Sequence, residues 1–142
     1  MKRKSNLLLL GLGFSLSLMV MGCTPPSDAD QFADYQLLNL DQIQGELRGD
    51  NPEAMTLELF GIKGEVEGNF SQDIKVLSNQ GFNKIVMLTQ MNLPDDSIRG
   101  MRYLLEFEFS QSEGKWLLSQ VGRQQSCSRS ENSTDWTTES CL

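Results

Sequence analysis

The chain has 142 residues, of which 19 are acidic and 12 basic, with no histidine and a formal net charge of −7. A chain this acidic excludes nucleic acid as a partner, because such binding depends on neutralising phosphates with Lys and Arg. The lack of histidine excludes Ser-His-Asp and Cys-His relays, HExxH zinc sites and imidazole acid–base chemistry.

Lys2, Arg3 and Lys4 precede an uncharged apolar run over 7–22, LLLLGLGFSLSLMVMG, which is the layout of a secretory signal. A membrane span needs about 20 apolar residues; this run is shorter and carries the helix-weakening Gly11 and Gly13. Its end, Val20-Met21-Gly22-Cys23, resembles the bacterial lipobox. There the Cys thiol receives a diacylglyceryl group, and a peptidase then cuts, here between Gly22 and Cys23. The alternative is a plain secretory signal with an incidental cysteine. Two or three long acyl chains, such as palmitate, anchor durably, since each buried CH₂ contributes about 0.8 kcal/mol. Thr24, rather than Asp, follows Cys23, which in Gram-negative sorting does not retain a lipoprotein at the inner membrane.

The expected organisation is a signal peptide over 1–22, a lipidated Cys23 with a tether to 34 (TPPSDADQFAD), and a single domain over 35–142. Cleavage leaves 120 residues, enough for one domain, with 9 basic residues against 19 acidic and a net charge of −10. Membrane affinity must then come from the anchor and not from a basic patch.

From Tyr35 the spacing of Leu37, Leu40, Ile43 and Leu47 predicts a helix, weakened by Gly45 and ended by Arg48-Gly49-Asp50. Asn51-Pro52-Glu53 starts a second helix: Asn51 caps, Pro52 fills the first position, and Glu53 complements the dipole. This helix carries Met55, Leu59 and Phe60 and stops at Gly61. The Arg-Gly-Asp triplet at the junction needs no role in adhesion, because a helix-breaking Gly explains it.

Beyond Lys63 the apolar period becomes two. Residues 73–78, 83–91 and 101–109 read as strands, and QSEGK turns the chain into a further strand over 115–125. Connections too short for crossover helices require antiparallel pairing. The expected fold is therefore α+β, with N-terminal helices packed on a curved antiparallel sheet of about four strands.

With Cys23 lipidated, Cys127 and Cys141 remain, and in an exported chain they read as a disulfide. Closing the 15-residue loop contributes about 3 kcal/mol in the chain-entropy model and pins a tail that is polar apart from Trp136. A redox or zinc role is disfavoured by the long spacing and the missing histidine.

The remaining candidates for chemistry are weak. Asp95-Asp96-Ser97 after Pro94 could bind a hard cation but reads as a turn, with Asp bonding to nearby N–H groups. Glu65, Glu67, Glu106 and Glu108 alternate with apolar residues, as on the wet face of a strand, and a catalytic pair among them is the lesser reading. Met87, Met91, Met101, Phe107 and Phe109 could line an apolar pocket, although core packing is their commoner use. Arg123 lies where a sheet edge could accept a partner strand or be covered by the disulfide-closed tail. Sequons at Asn69 and Asn132 carry no weight behind a bacterial lipobox. No residue is assigned a catalytic or metal-binding role, and no cofactor is expected.

The stretches RGDNPEAMTLELFG, VMLTQMNLPDDSIRGMRYLLEF and WLLSQVGRQQSC, followed by Trp136 and Cys141, resemble those of small, uncharacterised cyanobacterial lipoproteins. The resemblance spans most of 37–142 and implies a photosynthetic bacterium with a choice of thylakoid, plasma or outer membrane; it brings no catalytic residue. The expected function is a lipid-anchored, non-enzymatic accessory or protein-binding module on the extracytoplasmic side. The alternative is a small apolar-ligand carrier or sensor with a pocket between sheet and helices.

Overall fold

The computed structural model describes residues 31–132 and 135–141. Gly22, Cys23 and the rest of the leader, with most of the tether, lie outside the described residues.

The domain is mostly β. Four long strands run consecutively: β3 (Ser71–Gln80), β4 (Asn83–Met91), β5 (Ile98–Ser110) and β6 (Lys115–Cys127). Two short strands, β1 (Gln36–Leu37) and β2 (Arg48–Gly49), both pair with the outer side of β6. All pairings are antiparallel, and the order across the sheet is β1-β6-β5-β4-β3 with β2 beside β6. The tight links follow from local chemistry: Gly81 supplies φ 61° in the two-residue β3–β4 loop, and Gly114 supplies φ 64° in the β5–β6 turn.

This architecture corrects the expected α+β arrangement of N-terminal helices on a four-stranded sheet. The described residues contain one α-helix, α1 (Pro52–Phe60), and a three-residue 3₁₀ turn, Leu40–Gln42, in a six-stranded sheet. The helix predicted from Leu37 to Leu47 does not form. Its backbone groups instead bond the free edge of β6, with Leu38 N donating to Val121 O at 2.9 Å and Leu118 N donating to Leu47 O at 2.8 Å. Gly45, at φ 131°, breaks any helical path between them. The three- and four-residue spacing nevertheless reports burial, because Leu40, Ile43 and Leu47 pack on the core from an irregular chain.

Helix α1 begins as its residues dictate. The Asn51 side chain accepts a bond from Ala54 N at 2.8 Å, and Pro52 occupies the first turn. Its C-terminus is held from the sheet: buried Gln90 donates through Nε2 to Phe60 O and to Gln72 Oε1, each at 2.9 Å. Gln72 Oε1 also accepts from Ile62 N at 3.0 Å. Unpaired backbone groups at the helix end and the chain leaving it are thus satisfied without solvent.

Alternation gives the long strands two apolar faces. The front face carries α1 and the 38–47 segment over Val86, Leu105, Phe107, Leu118 and Val121. On the back face, Phe32 and Tyr35 pack over Ile85, Met87 and Leu104. Phe32, in the stretch read as tether, is only 4% exposed. Gly122 makes this packing possible, since a Cβ there would lie 2.6 Å from Tyr35 Cβ.

Candidate functional site

The back face leaves a groove of about 610 Å³ between the N-terminal segment and the C-terminal tail, walled by Asp34, Tyr35, Gln36, Gln124, Trp136 and Thr137. Gln124 Nε2 donates to Asp34 O at 2.9 Å and fixes the N-terminal wall. The tail forms the other wall. Gln125 and Thr137 exchange two backbone bonds of 2.8 Å, and the Gln125 side chain donates to Glu139 O. Cys127 and Cys141 are joined in a disulfide with their Cα atoms 5.3 Å apart, so the tail is held at both ends of its loop.

Trp136 is the apolar centre of that tail. Its ring lies over the Arg102 guanidinium, with the central carbon 4.0 Å from the ring centroid. Gly100 lets it approach the sheet: a Cβ at that position would lie 3.2 Å from the indole and 2.7 Å from Met91 Sδ. Beneath this contact, Arg102 Nε and Gln124 Oε1 are buried without a hydrogen-bond partner among the described residues. The groove thus combines an aromatic wall with amide and hydroxyl groups, a set suited to holding a polar ligand or peptide, while Arg102 backs Trp136 and does not line it.

A second, more apolar groove of about 570 Å³ lies on the front, between the 36–44 segment and the end of α1, where Leu37, Leu38, Ile43, Leu59 and Phe60 meet. Leu37 is 58% exposed at its mouth.

The other candidate residues disperse. Asp95 Oδ1 accepts from Ser97 N at 2.8 Å and Ile98 N at 2.6 Å, and these two N–H groups hold its carboxyl below the ordinary range. It is a turn residue. Among the described residues, no group of three or more His, Cys, Asp or Glu is placed to hold a metal ion. Glu65 and Glu67 lie in an exposed loop and not on a strand, while Glu106 accepts from Asn83 Nδ2 at 3.1 Å. Arg48 pairs with Glu113 at 3.1 Å and Asp50 with Lys115 at 2.7 Å, which pins β2 to the β5–β6 turn.

The Met and Phe candidates do not share a pocket. Met87 and Met91 sit opposite Leu104 and Gly100 on the back face, whereas Met101, Phe107 and Phe109 point to the front. The β6 edge at Arg123 is covered chiefly by β1, with Arg123 donating to Gln36 Oε1 at 2.8 Å; among the described residues the tail bridges to Gln125. Sequence reasoning missed the Arg102–Trp136–Gln124 grouping. Its one available signal was a solitary Trp in a polar, disulfide-closed tail.

Comparison with known protein families, curated proteins and solved structures returned no match. Among the described residues, no helix is long and apolar enough to cross a membrane.

Proposed function

We propose that this chain is a lipid-anchored, non-enzymatic accessory module that presents an acidic, mostly β domain to a protein partner on the extracytoplasmic side of a membrane. The observation that carries the reading is Val20-Met21-Gly22-Cys23 at the end of an apolar run with a Lys-Arg-Lys head. The Cys127–Cys141 bond supports it, because such bonds persist in oxidising compartments. The excess of acidic residues repels anionic headgroups, so the anchor supplies the membrane affinity.

Feeding cells a clickable palmitate analogue tests the anchor. The expected result is label on the native chain, with loss of label and of leader cleavage in Cys23→Ser. An unlabelled native chain with a free thiol at position 23 ends the proposal. Affinity purification from detergent-solubilised membranes tests the second half, with stoichiometric recovery of a partner as the expected outcome.

A second reading, a carrier of a small apolar ligand, is favoured by the front groove and its Leu37, Ile43, Leu59 and Phe60 lining. Saturable binding of a fluorescent fatty acid, weakened by Leu59→Gln, supports that reading; linear partitioning removes it.

A further inference from the structure

Among the described residues, one edge of the sheet is covered by further chain and the other receives no further strand. The outer side of β6 receives β1, Leu38, Leu47 and β2. At the other end, β3 spans ten residues, Ser71–Gln80, and among the described residues its one strand partner is β4. Every second backbone N–H and C=O of β3 therefore faces outward, a template for another strand.

Two features bear on what fits there. Asp73 and Lys75 are the only charged residues of β3; their side chains are 64% and 63% exposed and form an intrastrand pair at 3.5 Å. Val76 and Leu77, beside them, are 44% and 48% exposed, and the strand bulges between Val76 and Ser78. A Lys and a bulge are devices that commonly blunt an edge. Here the Lys carries its own countercharge on the same face two residues away, which makes the strand complementary to a reversed copy of itself.

We propose that β3 is a self-association edge, pairing antiparallel with β3 of a second copy about a twofold axis at Ile74. In that register Asp73 lies opposite Lys75 of the partner subunit, and Lys75 opposite the partner's Asp73. Ile74, which packs against the front core, meets the partner's Ile74. The front faces of the two sheets become continuous, and Val76 gains a neighbour on the same side. A shift by one residue in either direction removes both charge pairs, and the bulge after Val76 limits the ladder to the five residues 72–76. So short a seam falls below the ~1,600 Å² of a standard interface, which makes the association weak and concentration-dependent.

Disulfide trapping in cells expressing the full chain tests the register. Directly opposed Cα atoms in an antiparallel pair are about 4.5–5.5 Å apart, within disulfide reach. Ile74→Cys is expected to give a covalent homodimer on non-reducing gels. Val76→Cys, about 14 Å from its copy, and Ser78→Cys, about 27 Å away, are expected not to. Co-expressed Asp73→Cys and Lys75→Cys chains, altered only at exposed positions, are expected to give the mixed dimer even if Ile74→Cys folds poorly.

In the Ile74→Cys background, Asp73→Lys is expected to reduce trapping roughly three- to tenfold through two like-charge contacts, and the swap Asp73→Lys with Lys75→Asp to restore it. Equal trapping at 74, 76 and 78, no trapping in either format, or no rescue by the swap overturns the proposal. The unsubstituted chain controls for Cys23. Formation of the Cys127–Cys141 bond in the same chains reports that they reached an oxidising compartment, so absence of trapping in oxidised chains is distinguishable from failure of the lipid-anchor reading.

Discussion

The indole of Trp136 covers the guanidinium of Arg102 at 4.0 Å, joining the C-terminal tail to the back of β5. The contact lies inside the loop closed by Cys127 and Cys141, so the disulfide and the stacked pair hold the same segment from two sides. Trp136→Ala is expected to lower stability by about 1–2 kcal/mol in urea unfolding, from the lost cation–π contact and apolar burial. Trp116 remains as the fluorescent probe. An unchanged midpoint would show that the stack contributes nothing.

Replacing both Cys127 and Cys141 by Ser is expected to cost about 3 kcal/mol, the closure entropy of a loop this long. Amide exchange at Gln125 and Thr137 should rise with it, because their bridge is the first backbone contact the freed tail can lose. Exchange confined to its native level at Thr137 would mean that Trp136 alone seats the tail.

Tyr103 predicts alkaline sensitivity. Burial raises its phenol above the ordinary 10.0, with the nearby Arg123 charge acting the other way. The folded chain keeps this proton at a pH where the unfolded chain has lost it. The contribution is therefore intact below pH 10 and is lost as pH rises toward the folded-state value. Tyr103→Phe, which retains the stack on Phe60 at 4.6 Å, should lose less stability above pH 10 than the native chain does. Parallel stability curves for the two proteins would refute this.

Gln90→Leu should be disproportionately destabilising for a volume-conserving change, by roughly 1–3 kcal/mol. It strips the donor from both Phe60 O and Gln72 Oε1 at a position only 3% exposed. Circular dichroism should show the loss concentrated in α1.

Gly122→Ala should displace the N-terminal segment, because the new methyl would collide with Tyr35 Cβ at 2.6 Å. A cost of about 1–3 kcal/mol is expected, together with protease cleavage near Phe32 in the otherwise folded chain. Resistance to cleavage would mean that the segment can shift without leaving the sheet.

The long strands were legible because period-two alternation is a local property. β4 occupies the predicted 83–91, and β5 and β6 extend the predicted 101–109 and 115–125 by a few residues. α1 was legible through Asn51 and Pro52, whose capping chemistry acts within one turn. The stretch 37–47 misled for a definite reason. Leu40, Ile43 and Leu47 do face the core, but side-chain spacing cannot tell whether the backbone bonds itself or a neighbouring edge. The same limit hid how the Met and Phe residues weighed as a pocket lining divide between two faces, since which way each strand turns its odd residues depends on its partners' register.

Acidity, the lack of histidine, the two Cys left beside Cys23 and the order of the long strands are fixed by residue identity or by neighbours a few positions apart, and the sequence alone determined them. Which edge of the sheet is sealed and which is open, that Arg102, Gln124 and Trp136 converge, and that Leu37 to Leu47 forms no helix were decided by tertiary structure. Each depends on hydrogen bonds and packing between segments many residues apart, where the competition between local helix formation and pairing with β6 is settled by the whole fold.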